Sequence, residues 1–221
     1  GNPYKKGKVD GIATEVYKLN SNTDKADVTY PFTATANGAS HSFEVVNGTF
    51  KDTEYFHEED PDPNAAMSIY YRNDGTGFLS KDTGFFTMFK QGSINYTDFT
   101  LNEAVENRVI DIDTENINNT DVWVQTVSAD GTVTTANKWT KVDNTEGNNV
   151  IYNSLDKNIR KIFSVVSRLN DQISIKFADG NYGEIPRNLI RVWYRTSNGE
   201  TYVLRSADVQ DVSVTFPYIG V

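Results

Sequence analysis

The stretch from Asp171 to Gly199 constrains the fold of this chain more than any other segment. Residues 173–177 alternate apolar and polar side chains, which is the period of a β-strand with one face in a core. A second strand pattern covers residues 190–194, and the chain then turns again at Gly199. We therefore predict that residues 173–177 and 190–194 form neighbouring antiparallel strands of one sheet.

Four residues between these two strands predict a compact turn. Asp179 and Gly180 form an Asp-Gly pair, which supplies the positive φ of a tight turn. Gly183 allows a second positive φ. Pro186 ends the hydrogen-bond ladder because proline has no N–H to donate. We assign a structural role in this turn to Asp179, Gly180, Gly183 and Pro186.

Strand-like alternation recurs along the whole chain, whereas helix signals are few. Residues 154–166 carry apolar side chains at helical spacing, but the second half is rich in β-branched and aromatic residues. We therefore predict a turn at 154–158 and a strand at 159–167. The fold class we predict is mainly β with little helix, its antiparallel sheets arranged as a sandwich or a barrel-like structure. The other predicted strands cover residues 11–17, 26–33, 42–50, 67–72, 85–89, 93–101, 108–113, 121–128 and 132–142.

Three glycine-marked segments predict hairpins between successive strands. They are Asn47-Gly48, Gln91-Gly92 and Ala129-Asp130-Gly131. The last of these is the clearest hairpin signal, because alternating apolar strands lie on both sides of it.

Changes of composition divide the chain into two parts. Residues 57–64 are polar, acidic and interrupted by proline, and residues 73–83 are rich in glycine. Such segments are typical of domain boundaries or exposed loops. We predict a β-rich insertion or satellite unit over residues 1–84 and a β-rich core unit over residues 85–221.

Composition narrows the functional classes. The chain has no cysteine, which excludes disulfides and thiolate chemistry and suits a protein assembled in a reducing cytoplasm. Its net charge of −9 argues against nucleic acid as the main partner, since a phosphate binder needs a basic stripe. No apolar run approaches the roughly 20 residues that a membrane-spanning helix requires. We predict neither nucleic-acid binding nor membrane insertion.

Two acidic segments are candidates for metal or catalytic sites. Residues 57–62 bring together one histidine and four carboxylates, but without the spacing of a known calcium or zinc motif. Asp111, Asp113 and Glu115 alternate and share one strand face, as paired catalytic carboxylates or as a polar outer surface. No serine lies in a nucleophile-elbow motif, and no phosphate-binding loop is present. We predict no catalytic residues, no metal, no cofactor and no enzymatic activity.

Aromatic residues leave two alternatives open. They can form a platform that stacks on sugar rings, or they can pack in the core or at a subunit interface, which we favour. The residues concerned are Trp123, Trp139, Trp193, Tyr194, Tyr202 and Tyr218.

The segment FADGNYGEIPRNLIRVWYRTSNG resembles the signature of baseplate J-like proteins, which are wedge proteins of contractile-tail bacteriophages. Ala178 departs from the resemblance, because the signature has glycine there. A looser similarity covers residues 85–218, while residues 1–84 match nothing in that family. The matching positions are Phe177, Asp179, Gly180, Gly183, Pro186, Arg191, Tyr194, Arg195 and Gly199.

The resemblance implies a structural subunit of a contractile-tail baseplate that forms wedge and ring contacts between tail proteins. The implied partners are other baseplate or tail subunits and a second copy of this chain as a homodimer. The implied location is the virion, at the tail baseplate, after assembly in the host cytoplasm. Because the chain begins with Gly1 and ends on apolar residues, we also expect it to be part of a longer polypeptide.

The same resemblance suggests interface residues. Arg191, Trp193 and Arg195 share one strand face, while Val192 and Tyr194 share the other. If Val192 and Tyr194 pack on the core, the arginine–tryptophan row points outward and can anchor a partner subunit. If the row faces inward, its arginines need buried carboxylates, for which Asp111 or Asp113 are candidates.

Two further residues in the upstream strand, Asp121 and Trp123, complete the set of interface candidates. The alternative function is a carbohydrate- or receptor-binding β-sandwich domain of a tail or surface protein.

Overall fold

The computed structural model confirms the predicted fold class, because the described part of the chain is mostly β-strand in antiparallel sheets. Two short 3-10 turns, Leu169–Asp171 and Ser206–Val209, lie wholly within that part. None of the described helices has the length and apolarity that crossing a membrane requires. The structure describes residues 2–19, 30–36, 38–62, 67–73, 84–130, 137–146, 160–199 and 204–213.

The chain forms two compact units, and one of them is built from two separate segments. The first unit comprises Gly1–Gly92 and Thr201–Val221, and the second comprises Ser93–Glu200. This division lies eight residues beyond the boundary expected at residue 84, so the strands around residues 84–91 belong to the first unit. The C-terminal segment Thr201–Val221 also belongs to the first unit and not to the second.

The first unit contains nine described strands in three sheets. One sheet has the order β1-β2-β7-β8, another has the order β3-β4-β9, and β5 pairs with β6. All of these pairings are antiparallel. The strands are β1 (Lys5–Val9), β2 (Ile12–Leu19), β3 (Tyr30–Ala36), β4 (Ala39–Val46), β5 (Gly48–Phe50), β6 (Phe56–Glu58), β7 (Met67–Asn73), β8 (Gly84–Phe86) and β9 (Met88–Gln91).

A two-residue turn that is not among the predicted hairpins connects β1 and β2. Val9 pairs with Ile12, and the residues between them are Asp10, with φ of 50°, and Gly11, with φ of 76°. Positive φ at both central positions is the geometry of a type I′ turn, for which Asp-Gly is a preferred sequence. The Asp-Gly signal was therefore present, but the first predicted strand begins at Gly11 and no strand was predicted before it.

Two buried clusters hold the first unit together. Val16, Phe50 and Tyr70 form one cluster, which joins the four-stranded sheet to the β5–β6 ribbon. The Tyr70 hydroxyl accepts a hydrogen bond from the backbone N–H of Gly48, and burial raises the pKa of Tyr70. The second cluster consists of Tyr30 on β3, Val45 on β4 and Met67 on β7.

The second unit contains seven described strands in two sheets. One sheet has the order β10-β16-β12, with β16 in the centre, and the other has the order β11-β15-β14-β13. The pairing of β13 with β14 is parallel and the other pairings are antiparallel. The strands are β10 (Ser93–Leu101), β11 (Val109–Ile112), β12 (Ile117–Val127), β13 (Thr140–Lys141), β14 (Ile162–Ser167), β15 (Ile173–Phe177) and β16 (Asn188–Thr196).

One hydrophobic core lies between these two sheets, as in a β-sandwich. The three-stranded sheet contributes residues such as Val124, Ile190 and Val192, and the four-stranded sheet contributes residues such as Phe163 and Ile175. Because both sheets bury a face in the same cluster, each strand needs only one apolar face.

This sandwich shows that one prediction was wrong. Strands β15 and β16, predicted to be neighbours, lie in different sheets, since β15 pairs with β11 and β14 while β16 pairs with β10 and β12. Their apolar faces meet across the core instead of side by side. The segment at 178–187 is long enough to cross the roughly 10 Å between packed sheets.

Two of the three predicted hairpins are not formed. Gln91-Gly92 does not close a hairpin, because β9 pairs with β4 and β10 pairs with β16. Asn47-Gly48 does not close one either, because β5 pairs with β6. The prediction of a hairpin at Ala129-Asp130-Gly131 involves residues 131–136, which lie outside the described residues.

The turn that follows β15 uses its two glycines for different reasons. Gly180 has φ of 90°, which confirms the expected positive φ. Gly183 has no positive φ, so that part of the prediction was wrong. A Cβ at Gly183 would lie 2.6 Å from the Ala178 side chain and 2.7 Å from that of Ile162, so glycine is needed there for close packing. Ala178 is itself fully buried beside Ile162.

We expect Gly183→Ala to destabilise the protein by about 1–3 kcal/mol, the usual cost of overpacking a filled core. The closest contact would be with the Ala178 Cβ, so adding Ala178→Gly should recover part of the loss. Urea unfolding of the two single variants and the double variant measures this coupling. Strictly additive free energies of unfolding would show that the two positions do not compete for the same space.

Candidate functional site

The side of β16 that faces away from the core carries the predicted interface residues. Ile190, Val192 and Tyr194 belong to the core cluster, so Arg191, Trp193 and Arg195 project from the opposite face. We call this side of the β10-β16-β12 sheet the Arg191 face. It also carries the cross-strand partners Tyr96 and Asp98 on β10 and Trp123 and Gln125 on β12.

Arg191 is held in one orientation by two neighbours on β10. Its Nε and Nη2 atoms donate to the two carboxylate oxygens of Asp98, at 2.7 and 2.8 Å. This hydrogen-bonded pairing raises the pKa of Arg191. The guanidinium carbon lies 4.0 Å from the ring centroid of Tyr96, within the range of a cation–π contact. Because Asp98 and Arg191 are direct cross-strand partners, the sheet register places all three groups together.

Trp193 is anchored from both sides. Its indole N–H donates to the side-chain oxygen of Gln125 at 2.8 Å, and its ring lies 4.9 Å from that of Tyr96. Trp123 is its direct partner on β12 and is partly exposed. Trp193 is only 5% exposed, whereas Tyr96 is 51% exposed. The Arg191 face is therefore more exposed along β10 than along β12.

Arg195 forms a buried ion pair with Asp121. Its Nη1 atom lies 2.5 Å from the Asp121 carboxylate, and the two side chains are 1% and 5% exposed. A buried arginine needs such a counter-charge, because burying an unpaired ion costs several kcal/mol. The carboxylate on the neighbouring strand supplies it.

The predicted outward row of Arg191, Trp193 and Arg195 is therefore corrected in two respects. Val192 and Tyr194 do pack on the core, but Trp193 and Arg195 are already buried within this chain and are not exposed anchors. The carboxylates that pair with the arginines are Asp98 and Asp121. Asp111 and Asp113, the candidates for an inward-facing row, lie elsewhere: Asp111 is on β11 of the other sheet and Asp113 directly follows that strand.

Asp111, Asp113 and Glu115 form part of a hydrogen-bonded surface beside β11. Asp111 accepts from the Ser174 hydroxyl at 2.6 Å, and Glu115 accepts from the Asn170 side chain at 3.0 Å. Arg168 donates to Asp113 at 2.7 Å, and this bond raises the pKa of Arg168. These contacts agree with the alternative of a polar outer surface for this segment.

The acidic segment at 57–62 contains charges that are paired with lysines of the first unit. Glu58 lies 2.7 Å from Lys90, and Glu59 pairs with Lys18. Burial lowers the pKa of His57. Among the described residues, no cluster of three or more histidine, aspartate or glutamate side chains has the arrangement of a metal site.

Most of the described residues of the aromatic set are buried, which is the favoured alternative, and Trp123 alone among its described tryptophans is partly exposed. Trp139 and Tyr194 belong to the core cluster of the second unit, and Trp193 is buried. Tyr202 and Tyr218 lie outside the described residues.

Sequence reasoning missed Tyr96 and Asp98. The strand that carries them was predicted with the correct bounds, but nothing in its sequence indicates that it pairs with β16.

With the geometry established, comparisons place the chain among known proteins. A family model described as "Domain of unknown function (DUF8360)" matches residues 1–221. The chain belongs to this family. Separate searches of curated proteins and of solved structures found no significant match. The description of DUF8360 names no activity, so the function of this DUF8360 member has to be inferred from its geometry.

The two arginines of the Arg191 face should differ sharply in their effect on stability. We expect Asp121→Asn to cost about 3 kcal/mol or more, because it weakens the compensation of a buried charge. Asp98→Asn should cost about 1 kcal/mol or less, because the Arg191 pair is partly exposed. Urea unfolding measures both values, and equal losses would contradict the difference in burial.

The turn at Asp179 should make stability depend on pH. Its carboxylate accepts backbone N–H bonds from Asn181 at 2.9 Å and Tyr182 at 3.2 Å, which lower the pKa of Asp179. A carboxyl whose folded pKa is depressed stabilises the fold above its unfolded pKa, about 3.9, and this contribution is lost as the pH falls through the folded pKa.

We therefore expect Asp179→Asn to reduce the drop in melting temperature between about pH 6 and pH 3, because the protonatable carboxyl is gone. Asp143→Asn, at an exposed aspartate of the same unit, serves as the control. If the melting temperatures of wild type and Asp179→Asn fall by the same amount across this pH range, Asp179 does not contribute to the pH dependence of stability.

Proposed function

We propose that this protein is a structural subunit of a contractile-tail baseplate, which forms wedge and ring contacts between tail proteins. The proposal is supported by the resemblance of residues 177–199 to the baseplate J-like signature. It is also supported by the way the residues of that signature are used. Gly180 and Gly183 shape a closely packed turn, while Arg191 and Arg195 clamp neighbouring strands. These are the roles of a rigid scaffold.

The observation that supports the proposal most is that Tyr96 is exposed and lies against a fixed arginine. Its ring is half exposed, yet one of its faces rests on Arg191, whose guanidinium is fixed by two hydrogen bonds to Asp98. Tyrosine, tryptophan and arginine dominate the binding energy of protein interfaces, particularly when they are held rigid before binding. Tyr96 therefore replaces Trp193 as the proposed anchor for a neighbouring subunit.

The role we propose is binding and not catalysis. Partners of this kind are other tail subunits or a second copy of the chain, and both would meet the more exposed β10 side of the Arg191 face. The location that follows is the baseplate of an assembled virion.

Purified contractile-tail particles from the organism that encodes the chain provide the test. An antibody against the chain should detect it in the particle fraction after sedimentation, and immunogold labelling should mark the baseplate end of the tail. Detection only in the soluble fraction, or labelling elsewhere on the particle, would overturn the proposal.

A pair of variants tests the anchor. Tyr96→Ala should reduce incorporation of the subunit into particles at least tenfold in a complementation assay, which corresponds to a hot-spot loss of about 1.4 kcal/mol or more. Tyr55→Ala removes a similarly exposed tyrosine, on the loop between β5 and β6, and should leave incorporation unchanged. Equal incorporation of both variants would exclude Tyr96 as the anchor.

A further inference from the structure

An aromatic row crosses one face of the β1-β2-β7-β8 sheet in the first unit. Phe85 on β8 pairs directly with Tyr71 on β7, and Tyr71 pairs directly with Glu15 on β2. Directly paired residues share a sheet face, so these side chains project together. Tyr17 follows Glu15 by two positions and lies on the same face. We call Tyr17, Tyr71 and Phe85 the aromatic row.

The rings of the aromatic row are in contact and open to solvent. The Phe85 centroid lies 5.1 Å from that of Tyr71 and 6.2 Å from that of Tyr17. Phe85 is 71% exposed, and both tyrosines are partly exposed. A phenylalanine is normally among the more buried residues, so this one, clustered with two other aromatic rings, indicates a binding surface.

A polar group of opposite charges adjoins the rings. Glu15 accepts a hydrogen bond from the Tyr17 hydroxyl at 2.6 Å and forms an ion pair with Lys6 at 2.9 Å. Lys6 is the direct partner of Glu15 on β1, so the row of cross-strand partners runs Lys6, Glu15, Tyr71, Phe85 across four strands. The two charges cancel locally, although the whole chain carries −9.

We infer that the aromatic row and its Lys6–Glu15 end bind a neutral saccharide. Aromatic faces suit the C–H faces of sugar rings, since these carry the partial positive charge that the face of a π-system attracts. A carboxylate has lone pairs to accept sugar hydroxyls beyond its two present bonds, and an ammonium group has three N–H donors. Aromatic rings next to hydrogen-bond donors and acceptors are therefore the combination of groups that suits a sugar ring and its hydroxyls.

The dimensions of the surface favour a saccharide over a protein. Neighbouring strands lie about 4.8 Å apart, so partners on four strands span about 14 Å, which is enough for a short oligosaccharide. A single line of four side chains offers far less than the roughly 800 Å² that each partner buries in a standard protein interface. This site is separate from the Arg191 face and does not depend on the baseplate proposal.

Affinity electrophoresis of the full chain tests the inference. Native gels are cast with hydroxyethylcellulose, dextran or soluble starch as neutral probes, and with alginate as a charged probe. We expect retardation by at least one neutral polymer. Phe85→Ala and Tyr71→Ala should restore the mobility seen without polymer, while Phe85→Tyr should retain binding because it keeps the ring.

Tyr55→Ala is the matched control, because it removes an exposed ring of the same unit that lies outside the aromatic row and should leave retardation unchanged. Melting temperatures show whether each variant is folded, and Phe85→Ala should melt as the wild type does because its ring is mostly exposed. No retardation by any neutral polymer, retardation by alginate alone, or undiminished retardation of folded Phe85→Ala would each overturn the inference.

Discussion

Alternate residues of strand β16 face two different environments, which are the apolar core and the Arg191 face. The structure of the second unit depends on this alternation. Its even-numbered residues Ile190, Val192 and Tyr194 enter the apolar core shared with the other sheet. Its odd-numbered residues carry two positive charges on the opposite face. Because side chains alternate strictly along a strand, a shift of one residue would place arginines in the core. The register of the whole three-stranded sheet is therefore fixed by this one strand.

The two arginines of β16 enforce that register in different ways. The exposed pairing of Arg191 with Asp98 contributes little free energy but aligns β10 through two directed hydrogen bonds. The buried pairing of Arg195 with Asp121 is expensive to break, so alternative alignments of β12 would leave an uncompensated charge. Together they penalise misaligned pairings on both sides of the central strand.

Local periodicity was enough to predict many of the strands, although not β1 or β6, but it did not predict their partners. The strand at 93–101 and the strand at 173–177 were predicted with their observed bounds, because the alternation that defines a strand lies within five to nine residues. Pairing depends on distant residues. Asp98 and Arg191 are 93 positions apart, and no feature of either segment identifies the other.

The same limit explains the errors at the turns and the candidate sites. Asp-Gly at 179–180 correctly indicated a turn, but a turn does not reveal whether the chain returns to the same sheet or crosses to the facing one. The need for glycine at Gly183 arises from Ala178 and from Ile162, and Ile162 approaches from another strand. Likewise the aromatic row combines three strands, each of which carries one or two unremarkable aromatic residues.

The division of the first unit into two chain segments has a consequence for folding during synthesis. The second unit is continuous from Ser93 to Glu200, so all of its strands leave the ribosome before the segment that begins at Thr201. Domains generally fold as units in the order of their synthesis. We expect the second unit to be complete while the first still lacks its last segment, including the 3-10 turn at Ser206–Val209. The second unit, although it begins later in the sequence, would then complete its fold before the first unit does.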